Sequence, residues 1–143
     1  MSVETGPHFV DTNILVYAHD RDAGIRHEAA YRLMSRLWDS DTGILSTQVL
    51  QEFYVTVTRK IPSPVSPASA RALIEPYTSW HVETAEPVDV LRASEIQERH
   101  RLSFWDALIV AVADKAGAKI IYSEDLNAGQ QIEGMKIVNP LND

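Results

Sequence analysis

The chain has 143 residues, a formal net charge of −7 and no cysteine. This length suits a single domain, residues 1–143, and the lack of cysteine excludes disulfides, thiol catalysis and cysteine-bound zinc. The acidic balance argues against a broad basic face that grips nucleic acid, although cations bound at clustered acids would reverse the local field. No apolar run reaches the roughly 18 residues of a membrane-spanning helix, and residues 1–8 lack a secretory signal. We therefore expect a cytoplasmic protein without membrane contact.

Strand-like and helix-like segments alternate along the chain. Short apolar runs predict strands at residues 9–10, 43–46, 80–83, 119–122 and 136–138. Apolar residues at helical spacing predict helices at residues 14–17, 25–38, 48–59, 67–78, 87–100 and 104–116. Thr12 and Asn13 are expected to form a turn, and the proline-rich stretch 61–70 a loop in which Ser66 and Pro67 begin the next helix. The alternation predicts an α/β fold with a central, mostly parallel β-sheet of four to five strands flanked by α-helices.

The stretch 102–113 is apolar apart from Ser103 and Asp106. A helix that is apolar on every side is a buried helix, and a carboxylate placed there is costly unless something neutralises it. One explanation is local, because Ser103 and Asp106 fit a capping box in which each side chain bonds to the backbone of the other residue. The alternative is that Asp106 lies near other acids and that its carboxylate is part of a functional site.

Four acids from separate segments are predicted to meet at one edge of the sheet, because ligands of open parallel sheets bind outside the carboxyl ends of the strands. Asp11 directly follows the first strand, and Asp125 closely follows the strand at 119–122. Asp106 lies in the first turn of the helix that leads back to that strand, and Glu52 lies early in the helix after the second strand. Taken singly, each acid can be read as a turn former, a cap or a solvated helix residue. These separate explanations give no reason for the convergence.

Converging carboxylates require protons or cations. Two unit charges about 4 Å apart repel by roughly 4 kcal/mol at an effective dielectric of about 20. The acids must therefore either take up protons, with raised and coupled pKa values, or bind metal ions. Oxygen ligands without cysteine suit Mg²⁺ or Mn²⁺, and the five histidines show no ligand spacing. An ion held by an incomplete set of carboxylates can recruit phosphate oxygens and activate water.

Four short motifs, in this order along the chain, resemble the successive motifs of the PIN domain family and most nearly its VapC-type toxins from bacterial toxin–antitoxin pairs. The motifs are residues 9–18 (FVDTNILVYA), 51–53 (QEF), 103–109 (SFWDALI) and 122–126 (YSEDL). The likeness extends from residue 9 to about residue 138. Each motif is short, and their order within a chain of single-domain length makes the resemblance specific.

The resemblance implies a PIN-like fold and a metal-dependent endoribonuclease that uses Mg²⁺ or Mn²⁺ to hydrolyse RNA phosphodiester bonds, leaving a 5′-phosphate and a 3′-hydroxyl. Matched motif by motif, the metal and catalytic residues would be Asp11, Glu52, Asp106 and Asp125. The supporting polar residues would be Thr12, Asn13, Ser103 and Ser123. Glu124 adjoins Asp125, and the family's spacing favours Asp125 as the residue that faces the metal. The resemblance also implies a homodimer and a cognate antitoxin with a segment that covers the acidic pocket.

Basic residues near the acids are candidates for RNA contact, with Arg99 and Arg101 the closest in sequence to Asp106. The other candidates are Arg21, Arg26, Arg59, Lys60 and His100. Each can also be read as an ordinary exposed charge. Trp105 and Tyr17 could stack on a base, but their apolar surroundings in the sequence favour a place in the core.

Two other functions stay open on the sequence alone. One is a PIN-like nucleic-acid-binding module that has lost turnover, which an intact set of four acids argues against. The other is a Mg²⁺-dependent phosphatase similar to the haloacid dehalogenases. Such enzymes need a second aspartate two residues after the first, and Asn13 occupies that position here.

Overall fold

A computed structural model describes residues 6–141. The ends of the predicted domain, residues 1–5 and 142–143, lie outside the described residues, as does most of the stretch considered for a secretory signal. The strands are β1 (His8–Val10), β2 (Gly43–Ser46), β3 (His81–Glu83), β4 (Ile120–Tyr122), β5 (Gln131–Ile132) and β6 (Met135–Val138). The α-helices are α1 (Thr12–His19), α2 (Ile25–Ser40), α3 (Thr47–Arg59), α4 (Pro67–Ile74), α5 (Pro87–His100) and α6 (Phe104–Lys115). Short 3-10 helices lie at Arg21–Ala23 and Glu75–Ser79.

The strands form one sheet in the order β3-β2-β1-β4-β6-β5. All neighbouring pairs are parallel except β5 and β6, which form an antiparallel hairpin. The central strand β1 is buried along its whole length, as expected for a parallel strand covered on both faces. The predicted α/β class and mostly parallel sheet are confirmed, and the sheet has six strands where four to five were expected.

The helices form two layers. Helix α1 contacts α2 and α3, and α3 contacts α4, whereas α5 packs mainly on α6. Right-handed crossovers explain this division, since the connections β1 to β2 and β2 to β3 run in one direction along the sheet and the connection β3 to β4 returns in the other. The core between the sheet and these layers includes fully buried Phe9, Leu15, Leu45, Phe53 and Ile121.

Several predicted boundaries are corrected by the structure. Thr12 and Asn13 do not form a separate turn, because the Asp11 side chain caps α1 and the helix begins at Thr12. The loop after α3 ends at Ser66, whose hydroxyl caps α4. The predicted helix 67–78 is divided, because Pro76 has no N–H to continue the α-helical pattern and the chain tightens into a 3-10 helix.

The additional strand is β5, which was not predicted because the β5–β6 hairpin lacks a strong sequence signal. Ile132 pairs with Met135, so only Glu133 and Gly134 connect β5 to β6. Both residues have positive φ, 50° and 84°, as a two-residue hairpin turn with the right-handed strand twist requires. Glu-Gly is not one of the dipeptides that announce such turns, and a two-residue strand has no visible periodicity.

Helix α6 confirms one part of the prediction made for it and corrects another. Residues 107–113 are all buried, so the helix is enclosed on every side over that length. Its first turn is different, because Trp105 is 62% exposed and Asp106 is partly exposed. The expectation that Trp105 belongs to the core is therefore wrong. Among residues 6–141, no helix combines the length and apolar character needed to cross a membrane.

Candidate active site

The candidate site lies where the direction of the sheet connections reverses. Strand β1 pairs in parallel with β2 on one side and with β4 on the other. The carboxyl ends of β1 and β4 therefore flank the crevice at which open α/β sheets bind ligands. Asp11 follows β1 directly, and its backbone N–H donates a 2.9 Å hydrogen bond to the carbonyl of Tyr122, the last residue of β4. This bond holds the two strand ends together at the crevice.

Asp11 is the most enclosed of the four predicted acids, with 5% of its surface exposed. The hydroxyl of buried Ser123 donates to one of its carboxylate oxygens at 2.8 Å, and the backbone N–H of Thr12 donates to the other at 2.7 Å. The pKa of Asp11 is nevertheless raised to about 7, with burial as the largest cause, a further increase from the charges of Asp106 and Asp125, and a partial offset by the two hydrogen bonds. The charged form of Asp11 is thus unfavourable in the metal-free protein.

Glu52 is held on both of its carboxylate oxygens. Helix α3 begins directly after β2, where the Ser46 hydroxyl accepts from the N–H of Val49, and this start places Glu52 near the carboxyl edge of the sheet. The Thr12 hydroxyl donates to one Glu52 oxygen at 2.5 Å, and the Gln48 amide donates to the other at 3.1 Å. The Thr12 hydroxyl thus forms a direct bond between the start of α1 and the acid of α3, and its supporting role stays a proposal.

The carboxylates of Asp125 and Glu124 have different bonding partners. The Asn13 amide donates to the Asp125 carboxylate at 2.9 Å, and the Asn13 oxygen accepts from the backbone N–H of Glu124 at 3.2 Å. The Glu124 carboxylate instead receives the Tyr17 hydroxyl at 3.0 Å and lies 3.4 Å from the guanidinium of Arg26. Glu124 is thus engaged with a tyrosine and an arginine, whereas Asp125 acts electrostatically on Asp11.

Asp106 is placed in the first turn of α6 by the Ser103 hydroxyl, which accepts its backbone N–H at 3.1 Å. The reciprocal bond of a capping box, from the Ser103 backbone to the Asp106 carboxylate, is not present among the described residues. Burial raises the pKa of the Asp106 carboxyl, the charge of Asp125 raises it further, a hydrogen bond with Ser103 partly offsets this increase, and Glu52 adds a smaller increase. Ser103 therefore acts on both the backbone and the carboxyl of Asp106, and that carboxyl also interacts electrostatically with Asp125 and Glu52.

A cleft of about 620 Å³ opens beside this group of acids. Its polar wall contains Thr12, Asn13, Glu52 and Asp125, and Lys60 also lines it. Its apolar wall contains Val16, Tyr17, Val55, Ile61 and Pro62. The cleft lies between α1 and the end of α3, so an extended ligand placed in it would reach two of the acids.

The family model of the PIN domain matches residues 8–130. The chain belongs to the PIN domain family. It is 34% identical over 121 residues to the protein named Ribonuclease VapC23 of Mycobacterium tuberculosis, a match that covers 82% of this chain and 91% of that protein. The resemblance seen in the four sequence motifs is therefore confirmed.

Two solved structures share the fold. VapC20 of Mycobacterium tuberculosis, described as a toxin that cleaves the sarcin-ricin loop, superposes with a TM-score of 0.63 at 29% identity and covers 82% of this chain and 89% of its own. A toxin–antitoxin complex from Klebsiella pneumoniae superposes with a TM-score of 0.71 at 15% identity and covers 93% of this chain and 97% of the matched chain. The second likeness concerns the fold alone.

The side chains at the crevice of this PIN domain have the chemistry of a site for a hard cation. Their donors are carboxylate, hydroxyl and amide oxygens, and neighbouring acids contribute to the raised pKa values of Asp11 and Asp106. Among residues 6–141, no three acidic or histidine side chains already stand as the ligands of one ion. The donor set therefore fits a divalent cation by its chemistry and charge, and the four metal ligands stay a proposal.

The predicted RNA-contacting arginines lie in a different environment from the acids. Arg99 forms a 2.6 Å ion pair with Glu133, which also receives His100 at 3.0 Å and Arg92 at 3.2 Å. Arg101 ends α5 in a left-handed conformation and is exposed. Arg99 is therefore bound to the β5–β6 turn, and a role for either arginine in RNA binding stays a prediction.

Gln48 is a site residue that sequence reasoning missed. Its amide joins Glu52 to the backbone carbonyl of Trp105, at 3.1 and 3.4 Å. The available signal was its position four residues before Glu52 on the same helix, since polar side chains at that spacing face each other. The link to Trp105 had no sequence signal, because it depends on how α3 and α6 meet at the edge of the sheet.

Proposed function

We propose that this PIN domain is a metal-dependent endoribonuclease that acts as the toxin of a toxin–antitoxin pair. The observation that carries the proposal is that Asp11 lies buried at the ligand-binding edge of the sheet with its pKa raised to about 7, chiefly by burial and to a smaller extent by the charges of Asp106 and Asp125 from separate segments. A fold gains nothing from this arrangement unless a cation or a proton compensates it. The similarity to a named ribonuclease and to a sarcin-ricin loop cleaving toxin supports RNA as the substrate.

The proposed ligands of Mg²⁺ or Mn²⁺ are Asp11, Glu52, Asp106 and Asp125. The bound ion would neutralise the site and supply an activated water and an electrophile for the phosphodiester. The supporting residues fix the carboxylates in advance. Ser123 and the Thr12 backbone orient Asp11, the Thr12 hydroxyl orients Glu52, and Asn13 orients Asp125.

The proposed protein partner is a cognate antitoxin. The similarity to Ribonuclease VapC23 and to VapC20, which is described as a toxin, supports this assignment. The cleft beside the acids is the natural place for an inhibitory segment, because a chain lying on its apolar wall would block access to Glu52 and Asp125. A homodimer of the toxin stays part of the proposal.

The deciding experiment is cleavage of RNA in Mn²⁺, with and without EDTA, by the wild-type protein and by Asp106→Asn. We expect EDTA to abolish cleavage and the variant to retain less than about 1% of the activity, since losing even an outer partner of a metal ligand typically costs about 10–100-fold. Asp114→Asn is the matched control, because Asp114 lies in the same helix and pairs with Arg92 at 2.7 Å, away from the acids.

Two outcomes would contradict the proposal in different ways. Undiminished cleavage by Asp106→Asn would remove Asp106 from the site. RNA binding by the wild-type protein without cleavage in any divalent ion would favour the nucleic-acid-binding module instead. The toxin assignment is tested separately, by expressing the chain in bacteria with and without the neighbouring gene. Growth arrest that the neighbour relieves is the expected result.

A further inference from the structure

The amide of Gln48 reaches across the carboxyl edge of the sheet. Helix α3 lies in the layer with α1, and α6 lies in the layer with α5, yet both contact β2. From the first turn of α3, Gln48 donates to the Glu52 carboxylate at 3.1 Å and to the Trp105 carbonyl at 3.4 Å. The Trp105 carbonyl belongs to the peptide that leads into Asp106. One side chain therefore connects one predicted ligand to the backbone beside another.

The orientation of this amide is fixed by its partners. Both atoms that it approaches, the Glu52 carboxylate oxygen and the Trp105 carbonyl oxygen, are acceptors, so the nitrogen must face them. The Gln48 amide oxygen is consequently buried without a hydrogen-bond partner in the described part of the chain. An unsatisfied buried acceptor destabilises a fold. A methionine or leucine at this position would avoid that penalty, so stability does not account for the glutamine.

We propose that Gln48 is a positioning residue that sets the place of Glu52 relative to Asp106 and so determines how tightly the acids bind a divalent ion. This inference rests on the proposed function. The Thr12 hydroxyl of α1 holds one Glu52 oxygen at 2.5 Å. The Gln48 amide holds the other, and its bond to the Trp105 carbonyl connects it to α6. Without Gln48, the Glu52 carboxylate keeps one tether and can rotate away from Asp106.

The test measures Mn²⁺ binding to the RNA-free protein by isothermal titration, for the wild type and for Gln48→Met. Methionine keeps the length and removes both donors and the unsatisfied oxygen. We expect the Kd for Mn²⁺ to rise about 10–100-fold, as for other residues that orient metal ligands. The Tm of the metal-free variant should be equal to or above that of the wild type, because the buried orphan acceptor is gone.

Two further variants complete the design. Gln97→Met, on α5, is the matched control and should keep the wild-type Kd. Gln48→Asn keeps an amide that is one methylene too short to reach both partners, and it should show the same weakened Mn²⁺ binding if Gln48→Met fails to fold. In cleavage assays, excess Mn²⁺ should restore most of the activity of Gln48→Met, with little change in KM for RNA.

The outcomes separate this inference from the proposed function. If the wild type binds Mn²⁺ and cleaves RNA while Gln48→Met binds Mn²⁺ within about twofold of it, the role of Gln48 is refuted and the function stands. A lowered Tm of the metal-free Gln48→Met protein, in proportion to the lost activity, would make Gln48 a structural residue and would also refute the role. If the wild type neither binds Mn²⁺ nor cleaves RNA, both proposals fail.

Discussion

Raising the pH should destabilise the metal-free protein through Asp11. The carboxyl of Asp11 has a pKa of about 7 in the fold, against 3.8 for an unperturbed aspartate, with burial as the largest cause. Between these two values the folded protein keeps a proton that the unfolded chain has released, so the free energy of unfolding falls as the pH rises. Each pH unit in that window removes about 1.4 kcal/mol, which amounts to roughly 4 kcal/mol by pH 8. Acid below pH 4 restores the full contribution.

The assay is urea unfolding in EDTA at intervals between pH 4 and pH 8, with Asp11→Asn beside the wild type. We expect the variant to lose about 1.4 kcal/mol per pH unit less than the wild type within the window. The comparison is needed because burial lowers the pKa of His19, which makes stability rise with pH near neutrality. Asp39→Asn, at an exposed position in α2, is the control for losing one formal charge. Saturating Mn²⁺ should abolish the loss at pH 8, and equal slopes for wild type and Asp11→Asn would refute the reasoning.

Two further predictions concern the scaffold. Gly43→Ala should lower the free energy of unfolding by about 1–3 kcal/mol, because a Cβ at that position would overlap the buried ring of Trp80; an unchanged urea midpoint would show that the ring moves aside freely. Glu133→Ala should lower the free energy of unfolding by about 1–2 kcal/mol, since the Glu133 carboxylate accepts hydrogen bonds from Arg92, Arg99 and His100. The loss is no larger because the two arginines are partly exposed to solvent, which weakens the ion pairs. This loss should shrink in 1 M NaCl, and a salt-independent loss would contradict an electrostatic origin.

The parts of the fold that sequence predicted well are those with a local physical cause. Pro67 after Ser66 starts α4 because proline suits the first helical position and serine caps it. Gly117, with φ of 87°, follows the end of α6 because a left-handed residue is needed there. The position of Asp11 after β1 was also predictable, since the end of an apolar strand is visible in the sequence.

The sequence could not indicate features that depend on partners far away in the chain. Arg99 is close to Asp106 in sequence, but the turn at Glu133 brings an acid to it and takes up its charge. Trp105 sits in an apolar run, but in the first turn of α6 its side chain is exposed. The bond from Gln48 to the Trp105 carbonyl spans 57 positions, and no pattern of residue types announces it.

The bond between Ser123 and Asp11 joins residues 112 positions apart. During synthesis, the nuclease pocket therefore cannot close until β4 has left the ribosome, because Asp11 has no hydroxyl to orient it before then and Asp125 does not yet exist. A chain that stops just before β4 contains the sequence of all six α-helices but lacks Ser123 and Asp125, so we expect it to have no hydrolytic activity. The cell that makes this protein is thus exposed to an active enzyme only after the segment with Ser123 and Asp125 has been made.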